Sequence, residues 1–349
     1  MRPSLWLPGR LAGVAGLLFL SFSHAVCAQA AFPACMAGMP AAIVVRIADE
    51  PPRRAWLQGG VSPPLEVVDA ESSQRLWSGA AWPPASQLFE RMGAQFAGSL
   101  LPIDLDGDGI HDRIYAGDLA GRLWRFDLHH GKPAAQWATG GVFADLASGP
   151  RGFVAAPDVS LQAGQTQDEA WFDIALGTVG LGTLPAQNRF YVLRDREPFE
   201  IRTQAQYDRW RPLTESNLVQ LPRLGATLAG PAPDGYYILV GDADVLGPAL
   251  TVSGRASLAL AQPGARADAM CSIAAVVSAI ELATGAERHE TTVDGSRPSR
   301  IPVTMTVGES FALRRVGSHA ICTLGDTHIA HCDADLSPRR LWWRREDAD

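Results

Sequence analysis

The sequence predicts an all-β fold, a modified or degenerate β-propeller, and three observations lead there. Glycine (34) and proline (25) punctuate 349 residues densely with turn formers, which favours many short strands over long helices. The apolar runs are short and alternate in character, as strands with two different faces require. Strand–turn–strand units recur about every 40–50 residues, the period of propeller blades.

Taken in order, the first unit has a strand at residues 42–47 and continues through 65–69, a polar turn and Arg75-Leu76-Trp77. The second joins Leu100–Ile103 and Ile114–Gly117 to Arg122–Asp127, where Arg122, Trp124 and Phe126 alternate with Leu123, Arg125 and Asp127. Later units pair 170–176 with 189–194 and 236–240 with 249–260, followed by 273–282. The last holds Phe311–Val316, a hairpin over 319–332 and Leu341-Trp342-Trp343. This makes five or six blade-like units. Helical patterns are confined to residues 87–96 and 204–210. Trp77, Trp124 and Trp171 fall in strands and are expected to pack between blades. Asp173, Asp195, Asp242 and Asp244 read as turn or strand-end residues.

The N-terminus has the layout of a secretory signal peptide: Arg2 to Arg10, an apolar run from Leu11 to about Phe22, and small residues before a cleavage point after Ala28. The expected organisation is a signal peptide over 1–28 and one propeller domain over 29–349. No later stretch is apolar for long enough to cross a bilayer as a helix. The formal charge of −7 is dispersed and lacks the concentrated basic patch that nucleic acid requires. Cys35, Cys271, Cys322 and Cys332 remain after cleavage, an even count that suits disulfides in an exported protein. Cys322 and Cys332 flank Gly325-Asp326, so a hairpin there would bring them together, leaving Cys35 with Cys271. Other pairings stay open.

The strongest chemical signal is Asp104-Leu105-Asp106-Gly107-Asp108-Gly109-Ile110-His111-Asp112. Asp104, Asp106, Asp108 and Asp112 occupy loop positions 1, 3, 5 and 9, and Ile110 offers its carbonyl at position 7. Calcium takes six to eight hard oxygens, and such a loop supplies them around a glycine at position 6, here Gly109. The loop departs from an EF-hand in two ways. Position 12 is Tyr115 in place of the bidentate Glu, and strands flank it where helices would be. It is an EF-hand-like calcium loop set between strands, in a blade spanning about 98–130. Magnesium, with its stricter octahedral demands, suits it less well.

The run from Asp104 to Asp118, continuing Leu119-Ala120-Gly121-Arg122-Leu123-Trp124-Arg125-Phe126-Asp127-Leu128, resembles the calcium-loop blade of the PilY family's C-terminal propeller. Weaker matches are Asn188–Asp195, Gly235–Ile238, Leu250–Gly254 and Leu341–Arg344. The resemblance implies a modified β-propeller whose calcium occupancy regulates pilus extension and retraction, with Asp104, Asp106, Asp108, Ile110 and Asp112 as ligands. It also implies pilus components, minor pilins or assembly proteins, as partners, and a periplasmic, outer-membrane-associated or surface location. Family members usually carry a long N-terminal region, which this sequence is expected to lack.

Other constellations compete with these. His319, Cys322, His328, His331 and Cys332 cluster as zinc ligands would, but disulfide formation competes for the thiols. Val68–Trp77 and Ala279–Arg288 resemble the docking repeats of pyrroloquinoline-quinone propellers, an enzymatic alternative. A generic exported calcium-stabilised scaffold or adhesin is another. No nucleophile elbow, zincin motif or phosphate loop is present, and the glycine-rich 177–182 reads as strand ends, so a non-enzymatic role is expected.

Overall fold

The computed structural model describes residues 40–335, apart from 61–64, 80–91, 98–99, 147–148, 164–168, 183–186, 266, 269–270, 289–299, 307–308, 317–318 and 330–333. The expected signal peptide, Cys35, His331, Cys332, Leu341–Trp343 and the first half of the expected 87–96 helical pattern lie outside the described residues.

Among the described residues, five successive sheets follow one another along the chain, with a small two-stranded ribbon between the second and third. Blade 1 is the antiparallel meander β1 (Ala41–Val45), β2 (Arg53–Gly59), β3 (Leu65–Asp69) and β4 (Arg75–Ser78). Blade 2 repeats this with β5 (Leu100–Ile103), β6 (Arg113–Gly117), β7 (Arg122–Leu128) and β8 (Ala138–Asp145). The ribbon pairs β9 (Arg151–Gly152) with β12 (Val179–Gly180). Blade 3 is ordered β10 (Asp158–Gln162), β11 (Trp171–Gly177), β13 (Asn188–Asp195), β15 (Gly235–Gly241) and β14 (Val219–Leu221), the last pairing in parallel. Blade 4 contains β16 (Leu250–Val252), β17 (Arg255–Ala261), β18 (Ser272–Glu281) and β19 (Arg300–Thr306). Blade 5 contains β20 (Ala312–Val316), β21 (His319–Leu324), β22 (Thr327–His328) and β23 (Ala334–Asp335). A single helical turn, α1 (Gln204–Tyr207), forms where the second helical pattern was expected; residues 92–97 carry no helix.

Burial explains the order. Successive side chains of a strand point to opposite faces, and here the two faces belong to two different interblade cores. In β6 and β7, Ile114, Ala116, Trp124 and Phe126 pack with Ile43, Leu57 and Val67 of blade 1. Tyr115 and Leu123, one residue out of phase, pack with Phe172, Ile174 and Leu193 of blade 3. Phe190 and Val192 join Ala256, Leu258 and Ile280 of blade 4, while Ala259, Ile273 and Val277 reach Cys322 and Leu324 of blade 5. First strands also meet first strands, β1 beside β5 and β10 beside β16. Sheets packed face to face in chain order form a propeller-like arrangement.

Trp77 lies 5.4 Å from Trp137 across the blade 1–2 boundary, and Trp124 is fully buried in the same core. Trp171 differs from expectation: it is half-buried at the start of β11, donating to Asp173 with Arg194 5.4 Å above its ring, so it packs within blade 3. At the far end of β11, Gly177 closes against Val245, and a Cβ there would lie 2.3 Å from the Val245 Cβ. Gly177→Ala is therefore expected to destabilise the domain by about 1–3 kcal/mol through overpacking, read as a lower urea midpoint at unchanged slope. An unshifted midpoint would refute this packing.

Candidate metal centre

The loop of residues 104–112 leaves β5 and returns into β6, closed at its neck by the pair Ile103↔Arg113 and by Asp112 N–H donating to the Ile103 carbonyl at 2.8 Å. Two residues turn through positive φ, Gly107 at 79° and Gly109 at 87°, a region where a side chain is costly. Each aspartate of the first half captures a backbone amide. Asp104 accepts from Gly107 N–H (2.7 Å) and Gly109 N–H (2.9 Å), Asp106 from Asp108 N–H (3.1 Å), and Asp108 from Ile110 N–H (2.7 Å). The curl brings carboxylate oxygens of Asp104, Asp106 and Asp108 within 4.8 Å of one another. Ile110 is buried at 7% exposure.

Asp112 stands outside that trio. One of its oxygens accepts from Leu105 N–H (2.7 Å) and the other lies 3.0 Å from His130 Nε2. Burial pushes its carboxyl up, but the hydrogen bonds from His130 and Leu105 outweigh it and hold the group below its usual value. His111 turns towards blade 1, where its Nδ1 accepts from Val44 N–H and its own N–H donates to the Val44 carbonyl, both at 3.0 Å.

The donor set suits calcium. All candidate donors are hard oxygens, and a carboxylate accepting one or two N–H bonds keeps lone pairs for a cation. Position 9 of such loops often reaches calcium through a water, which matches Asp112 held one step back. Tyr115, at position 12, points away into the core at 0% exposure, its hydroxyl donating to Asp195.

Directly behind the loop lies a fully buried ionic cluster. Arg113 Nε donates to Asp127 at 2.7 Å, and Arg125 donates to Asp195 at 2.8 Å and to Asp127 at 3.3 Å. Asp127 also accepts from Tyr207 (2.7 Å) and from Arg202 N–H (2.9 Å). Both guanidinium groups reach the Glu200 carbonyl, and Arg113 also reaches that of Pro198. Burial alone would raise the Asp127 carboxyl, but Arg125 and Arg113 more than offset it and lower the pKa.

No protein-family model matches the chain. Its architecture is similar to the crystal structure of the Pseudomonas aeruginosa PilY1 C-terminal domain, with a TM-score of 0.57 over 83% of this chain and 71% of that one, at 14% identity. The fold is that of a PilY C-terminal domain. A stretch of 46 residues is also 46% identical to a type IV pilus biogenesis factor PilY1 homolog of Xylella fastidiosa. That match covers 13% of this chain and 3% of the relative, so the chain spans a small part of that protein's length.

Of the five residues the sequence singles out, the structure brings together the carboxylates of Asp104, Asp106 and Asp108. It missed the pairing of Asp112 with His130 and the whole ionic cluster. The alternation in β7 hinted at the latter by placing Arg125 and Asp127 on one face. Of the histidine–cysteine group, Cys322 is fully buried in the blade 4–5 core and His328 is exposed. The two expected disulfides each include a cysteine outside the described residues.

Arg125→Ala is expected to cost about 3–5 kcal/mol, because it leaves buried carboxylates uncompensated, read by chemical denaturation. The depressed Asp127 pKa carries a pH signature. Its stabilisation is present above the unfolded aspartate value, about 3.9, and is lost as pH falls through the folded value. Stability should therefore drop below about pH 4, and Asp127→Asn should flatten that slope while lowering stability at neutral pH. An unchanged acid slope would contradict the assignment.

Proposed function

We propose that this chain is an exported, calcium-binding accessory protein of type IV pilus biogenesis and twitching motility, working through contacts with pilus components such as minor pilins or assembly proteins. The observation that carries the reading is the convergence of Asp104, Asp106 and Asp108 in a curled loop within the second blade of a PilY-type fold. The name of the Xylella relative, a type IV pilus biogenesis factor, supplies the biological setting. Calcium is proposed to bind these three carboxylates and the Ile110 carbonyl, with Asp112 completing the shell directly or through a water. A binding role fits a site whose candidate donors are all hard oxygen acceptors. Disulfides Cys35–Cys271 and Cys322–Cys332 and a periplasmic, outer-membrane or surface location belong to the same proposal.

A ligand that binds only the folded state stabilises it by mass action, by about 2.7 kcal/mol at a hundredfold excess over Kd. Calcium should therefore raise the melting temperature relative to chelator, magnesium should do so less, and Asp108→Ala should abolish the shift. Superimposable melting curves with calcium and with chelator would end the calcium assignment. For the pilus role, the wild-type gene should restore twitching to a strain of the source organism lacking it, whereas the Asp108→Ala allele should not. Affinity capture from envelope fractions should recover pilus components in calcium. Recovery of none, with or without calcium, would leave only a calcium-stabilised scaffold.

A further inference from the structure

The last two residues of the loop leave the carboxylate trio and reach towards blade 1. His111 holds the edge strand β1 twice, by its backbone N–H on the Val44 carbonyl and by its ring Nδ1 on the Val44 amide. This is the bonding pattern of an adjoining strand, with an imidazole nitrogen replacing one carbonyl. Asp112 holds His130, which lies in the turn between β7 and β8. That turn is itself joined to the chain leaving β1: Gly131 N–H donates to the Arg46 carbonyl at 3.3 Å and Ala48 N–H to the Lys132 carbonyl at 2.8 Å. Ala48 accepts a left-handed φ of 54° at this junction, a conformation that a non-glycine residue adopts only where surrounding contacts hold it. The β1 strand and the segment after it are thus tied to blade 2 by two routes. Both begin in the residues directly following Ile110.

We propose that His111 is a positioning residue that couples the metal state of the loop to the order of β1 in blade 1, an inference that rests on the calcium reading above. Binding at Asp104, Asp106 and Asp108 fixes the curl of the loop, and through it the place from which His111 grips Val44. The metal ligands lie on the inside of the curl and the grip on the outside, so the imidazole transmits the state without touching the ion. Coupling between two sites is reciprocal in free energy. Whatever calcium adds to the protection of β1, removal of the grip must therefore subtract from calcium affinity.

The test combines amide hydrogen exchange with calorimetry on the whole exported protein, in saturating calcium and in chelator. In the wild type, calcium should slow exchange at the Val44 amide about fivefold or more, with amides of the remote strand β18 as the internal reference. In His111→Ala, exchange at β1 should be the same with and without calcium, and calcium should bind more weakly by the same factor. His111→Asn, which keeps an acceptor on a shorter side chain, should recover part of both effects and controls for a folding defect in the alanine variant. A merely structural role would raise exchange equally in both conditions and leave calcium affinity unmoved, which would overturn the proposal. So would calcium binding by calorimetry with no change at Val44. Absence of binding heat in the wild type would instead remove the calcium reading itself.

Discussion

Two arginines and two aspartates, Arg113, Arg125, Asp127 and Asp195, sit at 0–1% exposure between blades 2 and 3, and much of the structure depends on their being satisfied together. Removing four charges from water carries a penalty of several kcal/mol per ion, which is offset only if charge and hydrogen bonding balance locally. They balance here, with two cations facing two anions. The donors left over reach the carbonyls of Pro198 and Glu200, and Asp127 takes the Tyr207 hydroxyl and the Arg202 amide. The segment after β13 is therefore laid across blade 2 by the need of its charges. Gly140 and Gly141 on β8 have room only for the Phe126 and Tyr207 rings that press against them. This rigid floor begins one residue after Asp112, so the loop emerges from a fixed neck.

The remainder of the fold follows from strands that serve two cores at once. Where one face of a sheet meets solvent, buried and more exposed side chains alternate along its strands; β1 to β3 of blade 1 do so, and the outward face leaves Trp56 at 42% exposure. Where both faces are covered, alternation changes meaning and separates one interior from another. In β7 the aromatic set Trp124 and Phe126 faces blade 1, and the set Leu123, Arg125 and Asp127 faces blade 3. A polar phase in such a strand marks a buried ionic interface and not a wet surface.

That distinction accounts for what could be read from the sequence. Strands with strong local signals, such as β3, β7 and β13, were legible to within a residue, as was the turn at Gly325-Asp326 that follows β21. β2 was missed because Pro51-Pro52 and two arginines precede its apolar core, and β8 because its glycines argue against a strand until the rings filling their space are known. β19 carries Pro302, tolerated on the outer strand of blade 4. The carboxylate trio was legible because its geometry is local, each aspartate bonding an amide two to five residues on. Asp195 was recognised as a strand end, but its partners Tyr115 and Arg125 lie 80 and 70 residues away. No spacing rule reaches that far.

The departure from an EF-hand then has a structural reason. In the helical motif, position 12 closes the site with a bidentate Glu carried on the exiting helix. Here the exiting element is β6, whose period of two fixes which residues face which way. Arg113 and Tyr115 share the face turned to the ionic cluster, so position 12 is claimed by the core and cannot turn back to the carboxylate trio. Closure falls to the sheet itself, through the Ile103↔Arg113 pair and the Asp112 bond to Leu105. The loop thereby forgoes one carboxylate and gains a preset neck. Charge count and rigidity both tune calcium affinity in such loops, and at the calcium site proposed here they would act in opposite directions: fewer anionic ligands would weaken binding, while a neck already closed would reduce the ordering that binding must supply.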